Sequence, residues 1–142
     1  MDRSYHYIGC FFPKEELLSR TEHISEGHLF RLIDAPHVTF VFAPEKADES
    51  LFGEKVRVRV TGYGNDGRNE GLRVELYSDN RELCDMIADI PVPHITLSVA
   101  KGARPYETRF LEFQPIEPLY LEGTFGGYTE GGTVVCGRPE SR

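Results

Sequence analysis

The chain has 142 residues, of which 39% are hydrophobic and 27% charged, a composition typical of an ordinary globular protein with one domain over residues 1–142. Its net charge of −7 excludes a broad, sequence-independent nucleic-acid-binding surface, because such a surface needs a large excess of Lys and Arg. A local pocket for a small anionic ligand, or for one end of an RNA, is compatible with that charge.

The first part of the chain predicts two strands on either side of a short helix. Aromatic and β-branched residues predict a strand over Tyr5–Phe12, and good helix formers predict a helix over Lys14–Arg20. Thr21–Leu32 lacks a clear period and is interpreted as a loop. Apolar and polar residues then alternate over Val38–Phe42, which predicts a second strand with Val38, Phe40 and Phe42 on one face.

The second part predicts a hairpin, a helix and further strands. Clean alternation over Lys55–Thr61 points Arg57 and Arg59 away from the core, as the outer face of an edge hairpin that returns through Leu72–Tyr77. The glycine-rich stretch between these strands, with Asp66 and Gly67, predicts a turn. Later segments follow in order: a helix over Asn80–Ile90, a strand from Pro93 to Val99, a polar loop over Lys101–Arg109, and last strands at Leu119–Phe125 and Thr133–Cys136.

The cysteines and the longest N-terminal apolar run indicate where in the cell the protein is expected. Cys10, Cys84 and Cys136 are odd in number and form no CxxC motif, so reduced thiols in a cytoplasmic protein are the simplest interpretation. Tyr7–Phe12 is too short for a signal peptide or a membrane span. We expect a monomer with no cofactor, no bound metal and no membrane contact.

Two strands open with the same short motif. Pro36–Val41 reads PHVTFV and Pro93–Val99 reads PHITLSV, so each has the pattern Pro-His-apolar-Thr-apolar. Side chains two positions apart share one face of a strand. His37 is therefore expected beside Thr39, and His94 beside Thr96, with the apolar residues on the other face.

The repeated motif suggests a repeated architecture. A strand, a helix and a Pro-His-apolar-Thr strand occur over about residues 5–42 and again over about residues 72–100. The sequence thus predicts an α+β fold with two pseudo-symmetric lobes of antiparallel sheet, helices outside and an active-site cleft between the lobes. Each lobe would present one histidine and one threonine to that cleft.

Two imidazoles and two hydroxyls suit the hydrolysis of a phosphodiester. Histidine titrates near neutral pH, so one copy can act as a base towards water while the other protonates the departing oxygen. Thr39 and Thr96 can donate hydrogen bonds to the phosphate oxygens as negative charge grows there. The simplest alternative is that His37 and His94 are structural residues with hydrogen-bonded rings near a proline turn.

The paired motifs resemble those of the two-histidine (2H) phosphoesterase superfamily, which includes the bacterial RNA 2′,5′-ligase-like proteins and the cyclic phosphodiesterase domains of tRNA ligases. The stretch KGARPYETRFL is similar to the Lys/Arg-Pro…Ser/Thr-x-x-Leu continuation of the tRNA-ligase branch. The resemblance implies that His37 and His94 are the catalytic acid and base and that Thr39 and Thr96 bind phosphate. The histidines are 94 − 37 = 57 positions apart, closer than in longer family members.

The resemblance implies a metal-independent phosphodiesterase that opens a 2′,3′-cyclic phosphate on a nucleotide or RNA end to a 2′-phosphate. Three further residues are candidate substrate contacts: Arg104 and Tyr106, which otherwise belong to a solvated loop, and Tyr7, which otherwise packs in the core. Cleavage of cyclic oligonucleotide signals, nucleotide or RNA-end binding without turnover, and a histidine metal site are the competing hypotheses.

Overall fold

The computed structural model describes residues 4–24 and 31–137, so part of the predicted loop Thr21–Leu32 lies outside the described residues. Within these residues, the α-helices α1 and α2 span Lys14–Thr21 and Arg81–Ala88. Short 3-10 helices there span Glu49–Leu51 and Pro105–Phe110. The strands of the same described part, β1 to β8, are Tyr5–Phe11, Arg31–Leu32, His37–Phe42, Lys55–Asn65, Asn69–Tyr77, His94–Val99, Gln114–Thr129 and Val134–Val135.

The eight strands form one sheet in a mixed α/β protein. The strand order is β2-β6-β5-β4-β7-β1-β3, and β8 pairs with β7. Every strand pair within residues 4–24 and 31–137 is antiparallel. The sheet is nearly closed, since β3 at one end of this order also contacts β6 near the other. No helix in the described ranges is long and apolar enough to cross a lipid bilayer.

One face of the sheet carries the hydrophobic core. Val56, Val58 and Val60 of β4 are buried in one cluster with Leu17 of α1 and Leu83 of α2. The alternation predicted for this strand is therefore confirmed. The start of α2 is fixed by Asn80, whose side-chain oxygen accepts a hydrogen bond from the Leu83 backbone N–H at 3.1 Å.

The arginine-bearing strand was wrongly predicted to lie at the sheet edge. β4 pairs with β5 on one side and with β7 on the other, so Arg57 and Arg59 project from the middle of the sheet. Local sequence predicts a hairpin partner well, but it does not reveal a third strand that returns from more than 50 positions away. The two arginines thus lie on a continuous sheet face.

Several glycines that suggest turns lie inside strands because other segments approach them closely. A Cβ on Gly62, Gly64 or Gly71 would meet Phe113, Leu111 and Thr108 at 3.0, 3.0 and 2.3 Å respectively. The segment 105–113 therefore packs directly over this part of β4 and β5. Its first half is not an open loop but the second 3-10 helix, which begins at Pro105.

Gly71 offers a test of this packing. We expect Gly71→Ala to lower the free energy of unfolding by about 1–3 kcal/mol, because the added Cβ would lie 2.3 Å from Thr108 Cγ2 and 2.8 Å from the Ile95 carbonyl oxygen. Urea denaturation measures the change. Gly131→Ala is the control, since its nearest neighbour would be 3.7 Å away. Equal stability of the two variants would contradict the close approach.

Candidate active site

Both histidines lie on the sheet face opposite the core. His94 pairs directly with Arg73 on β5, and His37 pairs with Phe11 on β1. The next residues, Ile95 and Val38, point into the core cluster. Because side chains alternate along a strand, the predicted placement of the two histidines away from the apolar side is confirmed. We call this surface the histidine face.

Phe42 is an exception to the predicted alternation. A β-bulge between Ile8 and Gly9 shifts the pairing of β1 with β3, so that Phe42 lies opposite Tyr7. Its side chain is 70% exposed rather than directed into the core with Val38 and Phe40. The predicted placement of Phe42 is therefore wrong, for a reason that sequence periodicity does not reveal.

The two imidazole rings are oriented in the same way. His37 Nδ1 lies 2.8 Å from the Ala35 carbonyl oxygen, and His94 Nδ1 lies 2.7 Å from that of Val92. A carbonyl oxygen only accepts, so each Nδ1 carries the hydrogen and donates it. In the neutral ring, Nε2 is then the nitrogen with a free lone pair, available to accept a proton from a bound molecule.

The backbone around the two motifs also matches. The Pro36 carbonyl accepts a hydrogen bond from the Phe12 N–H, and the Pro93 carbonyl accepts one from the Val74 N–H, both at 3.1 Å. Thr39 pairs with Gly9 and Thr96 pairs with Gly71, and each glycine directly follows a register shift. The same local backbone conformation thus places one histidine and one threonine of each strand on the histidine face.

The histidines are also within electrostatic reach of each other. Burial lowers the pKa of His37 to about 4, although the hydrogen bond to Ala35 raises it, and the charge of His94 lowers it further. That effect agrees with the contact between β3 and β6. His37 is consequently neutral at neutral pH, with Nε2 unprotonated.

Aromatic rings enclose His37. The Tyr7 ring stacks on the imidazole with centroids 4.2 Å apart, and its hydroxyl lies 3.3 Å from His37 Nδ1. The Phe11 ring centroid lies 5.6 Å from that of His37. Tyr128 stacks on Tyr7, with ring centroids 5.2 Å apart. Burial, with a smaller effect of Tyr128, raises the pKa of Tyr7. Tyr7, predicted as a substrate contact, thus packs directly against the imidazole.

A cation that the sequence analysis did not single out lies near His94. Burial is the largest cause that lowers the pKa of His94, the hydrogen bond to Val92 opposes it, and the charge of Arg109 lowers it further. The Arg109 guanidinium lies 4.9 Å from the Phe110 ring centroid and 5.7 Å from that of Tyr106. Among residues 4–24 and 31–137 no carboxylate forms an ion pair with Arg109.

The two threonines differ in their hydrogen bonds. Thr96 Oγ1 lies 2.9 Å from the Pro105 carbonyl oxygen, to which it must donate, and 2.8 Å from Thr108 Oγ1. Asn69 Nδ2 in turn donates to Thr108 Oγ1 at 3.1 Å. The half-buried Thr39 side chain makes no hydrogen bond within the described ranges. Thr39 therefore has the hydroxyl that is free to donate.

The remaining candidates lie on the second 3-10 helix or just before it. The Arg104 side chain is exposed, while its backbone N–H donates to Glu107 Oε1 at 2.8 Å and its carbonyl accepts from Asn69 Nδ2 at 2.9 Å. Tyr106 is 54% exposed and contacts Arg109. The helix thus brings Tyr106 and Arg109 together. Arg104 instead caps the start of this helix through its backbone N–H, which bonds Glu107.

Cavities of about 270 and 450 Å³ lie on either side of the segment 43–48, and neither is lined by His37 or His94. Within residues 4–24 and 31–137, no group of three or more His, Cys, Asp or Glu side chains is arranged to hold a metal ion.

Comparison with known proteins adds no assignment to this geometry: no protein-family model matches the chain, and no curated protein is significantly similar to it in sequence.

Proposed function

We propose that this protein is a phosphodiesterase of the 2H type, which hydrolyses the 2′,3′-cyclic phosphate of a nucleotide or RNA end to a 2′-phosphate. The observation that carries the proposal is the shared orientation of His37 and His94. Both rings bind a backbone carbonyl through Nδ1, both leave Nε2 available, and both lie on one sheet face. A purely structural role for the rings does not require this duplication.

The proposed reaction uses one histidine on each side of phosphorus. His37 Nε2 takes a proton from a water molecule, whose oxygen forms a bond to phosphorus. The bond between phosphorus and the 3′ oxygen breaks, and His94 Nε2 gives that oxygen its proton. The products are a 2′-phosphate and a 3′-hydroxyl, and the two histidines then exchange protons with solvent.

Burial supports this division of roles. His37 packs against the rings of Tyr7 and Phe11, and its pKa of about 4 keeps it neutral and ready to accept a proton. The pKa of His94 is also lowered, but partly through the cation Arg109. A bound phosphate places a negative charge beside His94 and Arg109, which favours the protonated form of His94. His37 is therefore the proposed base and His94 the proposed acid.

Thr39 and Arg109 are the proposed groups that stabilise charge on the phosphate. The Thr39 hydroxyl shares a strand face with His37, and a guanidinium binds two phosphate oxygens through its fork of N–H groups. Thr96 donates to Pro105 and so supports the second 3-10 helix. In the proposed site, Thr96 contributes to phosphate binding only if its hydroxyl turns away from that carbonyl.

We also propose that the chain consists of two related halves, as the family resemblance implies. The matched bulges, glycines and proline carbonyls around the two motifs support this view. So does the strand order, because β6-β5-β4 and β3-β1-β7 mirror each other about the central β4–β7 pair. The cleft between the halves would then contain both histidines.

The direct test is to incubate the purified protein with a nucleoside 2′,3′-cyclic monophosphate in the presence of EDTA. We expect the 2′-phosphate as product, identified by phosphorus NMR. Binding without any product would favour the binding-module hypothesis. Turnover of cyclic dinucleotides, with none of 2′,3′-cyclic ends, would favour the signalling hypothesis, and loss of activity in EDTA would favour a metal site.

The pH dependence of kcat/KM follows from the two imidazoles. The base must be unprotonated, so kcat/KM rises with pH through about 4, the pKa of His37. The acid must be protonated, so kcat/KM falls above the pKa of His94, which lies below the ordinary 6.5 in the free enzyme. We expect a bell-shaped profile with its maximum on the acidic side of neutral, and a maximum above pH 8 would contradict the assigned roles.

A further inference from the structure

A patch of arginines and tyrosines lies on the histidine face between the two histidine strands. Arg59 of β4 pairs with Glu75 of β5 on one side and with Tyr120 of β7 on the other. Glu75 is two positions from Arg73, which pairs with His94, so all of these side chains share one face. At the usual strand spacing, Arg59 is two strands away from His94 and two residues further along the sheet, a distance of about 12 Å.

Two aromatic side chains of this patch face solvent. Tyr120 is 64% exposed beside Arg59, and Tyr77 is 48% exposed opposite Arg57. Exposed aromatic rings on a sheet face are suited to stacking with nucleobases. Without a bound ligand, the rings of Tyr77 and Tyr120 expose apolar surface to water, which is unfavourable. We name Arg57, Arg59, Tyr77 and Tyr120 the arginine–tyrosine patch.

The charge of this region differs from that of the whole chain. Lys55, Arg57, Arg59 and Arg73 lie on the histidine face against Glu75, Glu122 and Asp79, the last of which pairs with Arg57, so four cations face three carboxylates there. The chain as a whole has a net charge of −7. A narrow basic surface next to the proposed site suits one polyanionic strand rather than a duplex.

The arginine side chains are held in place but retain hydrogen-bonding capacity. Arg59 donates to Glu75 at 2.9 Å and Arg57 donates to Asp79 at 3.0 Å. Arg59 Nε is buried and has no hydrogen-bond partner within the described ranges. Each of these ion pairs uses one N–H of a guanidinium that has five, so other N–H groups remain to bind phosphate oxygens.

The segment 105–113 limits where a bound chain can lie. It packs over Gly62, Gly64 and Gly71 and so covers the histidine face at the far end of β4 and β5. The part of the face that stays open runs from His94 across Arg73 and Arg59 to Tyr120. A polymer attached to a nucleotide at His94 therefore has this path available.

We propose that the arginine–tyrosine patch binds the RNA chain on the 5′ side of the nucleotide that carries the cyclic phosphate. This inference rests on the proposed function and narrows its substrate class to RNA 3′ ends of several nucleotides, in preference to free mononucleotides. Arg57 and Arg59 contact backbone phosphates, and Tyr120 and Tyr77 stack on bases.

The test compares a hexanucleotide that ends in a 2′,3′-cyclic phosphate with a nucleoside 2′,3′-cyclic monophosphate. We expect kcat/KM of the wild type to be at least tenfold higher for the hexanucleotide than for the mononucleotide, because its KM is lower. This preference should shrink as the salt concentration is raised. Tyr120→Ala should lower kcat/KM for the hexanucleotide about fivefold or more and leave the mononucleotide unchanged. Tyr120→Phe should keep the wild-type preference.

Phe42→Ala is the matched control, because Phe42 is equally aromatic and exposed but lies outside the arginine–tyrosine patch, opposite Tyr7. It should leave the ratio of kcat/KM for the two substrates at the wild-type value. Equal kcat/KM for both substrates, or an equal loss on both in Tyr120→Ala, would overturn the inference and leave the proposed function intact. If neither substrate is hydrolysed, the proposed function fails. In that case, binding of a hexanucleotide with a 3′-phosphate tests whether the arginine–tyrosine patch binds RNA. Equal affinity of the wild type and Tyr120→Ala would overturn the inference.

Discussion

Replacement of either proposed catalytic histidine by alanine should lower kcat for a 2′,3′-cyclic nucleotide by about 10²–10⁴-fold, because each variant lacks one of the two proton transfers. His37→Ala removes the base and with it the acidic limb of the pH profile. His94→Ala removes the acid and with it the alkaline limb. Steady-state kinetics from about two pH units below the His37 pKa of about 4 up to alkaline pH measure all three effects.

The double variant should lose little more than the worse single variant, because the two groups act in one step and their effects are not additive. His6→Ala is the matched control, since His6 lies exposed on β1 and should keep wild-type activity. Circular dichroism and urea denaturation establish that each variant is folded. Activity of a folded double variant within tenfold of wild type would refute the two-histidine mechanism.

Arg109→Ala should lower kcat/KM by roughly 10²-fold, the size of effect found when a group that stabilises transition-state charge is removed. Arg109→Lys should recover part of the loss, since it restores the charge but not the paired N–H geometry that binds two phosphate oxygens. Lys101→Ala, which removes an exposed cation from the turn before the second 3-10 helix, is the matched control and should act like wild type.

Arg109 also has a signature that a role in stability alone would not produce. Its charge lowers the pKa of His94, so its removal should raise that pKa and move the alkaline limb of kcat/KM to higher pH. Arg109→Lys, which keeps the charge, should leave the limb in place. An unshifted limb in Arg109→Ala would place the guanidinium away from His94.

Periodicity and short motifs predicted the strand faces of the site but not its surroundings. Alternation places His94 and Thr96 away from Ile95, because a strand repeats every two residues whatever its partners. The carbonyl partners of the rings are only two residues away in sequence. By contrast, Tyr128 reaches Tyr7 through a pairing of β1 with β7 that spans more than 100 positions, and no local pattern encodes such a pairing.

Arg109 was missed for a related reason. In the sequence, Arg104 and Arg109 are equivalent cations in one polar stretch, and Arg104 directly precedes a proline. The 3-10 helix distinguishes them. It packs Arg109 on the rings of Tyr106 and Phe110, whereas Arg104 is the N-cap residue of the helix. The glycines of β4 and β5, which suggest a turn, in fact allow this helix and the residues after it, up to Phe113, to pack closely over the sheet.

The carbonyl partners of the imidazole rings have a consequence for how the protein tolerates acid. Many catalytic histidines are oriented by an Asp or Glu side chain, and that support weakens once the carboxylate takes up a proton. Here the partners are peptide groups of Ala35 and Val92, which do not titrate. The orientation of each ring is therefore held by the main chain itself, and it does not depend on the ionisation of a neighbouring carboxylate.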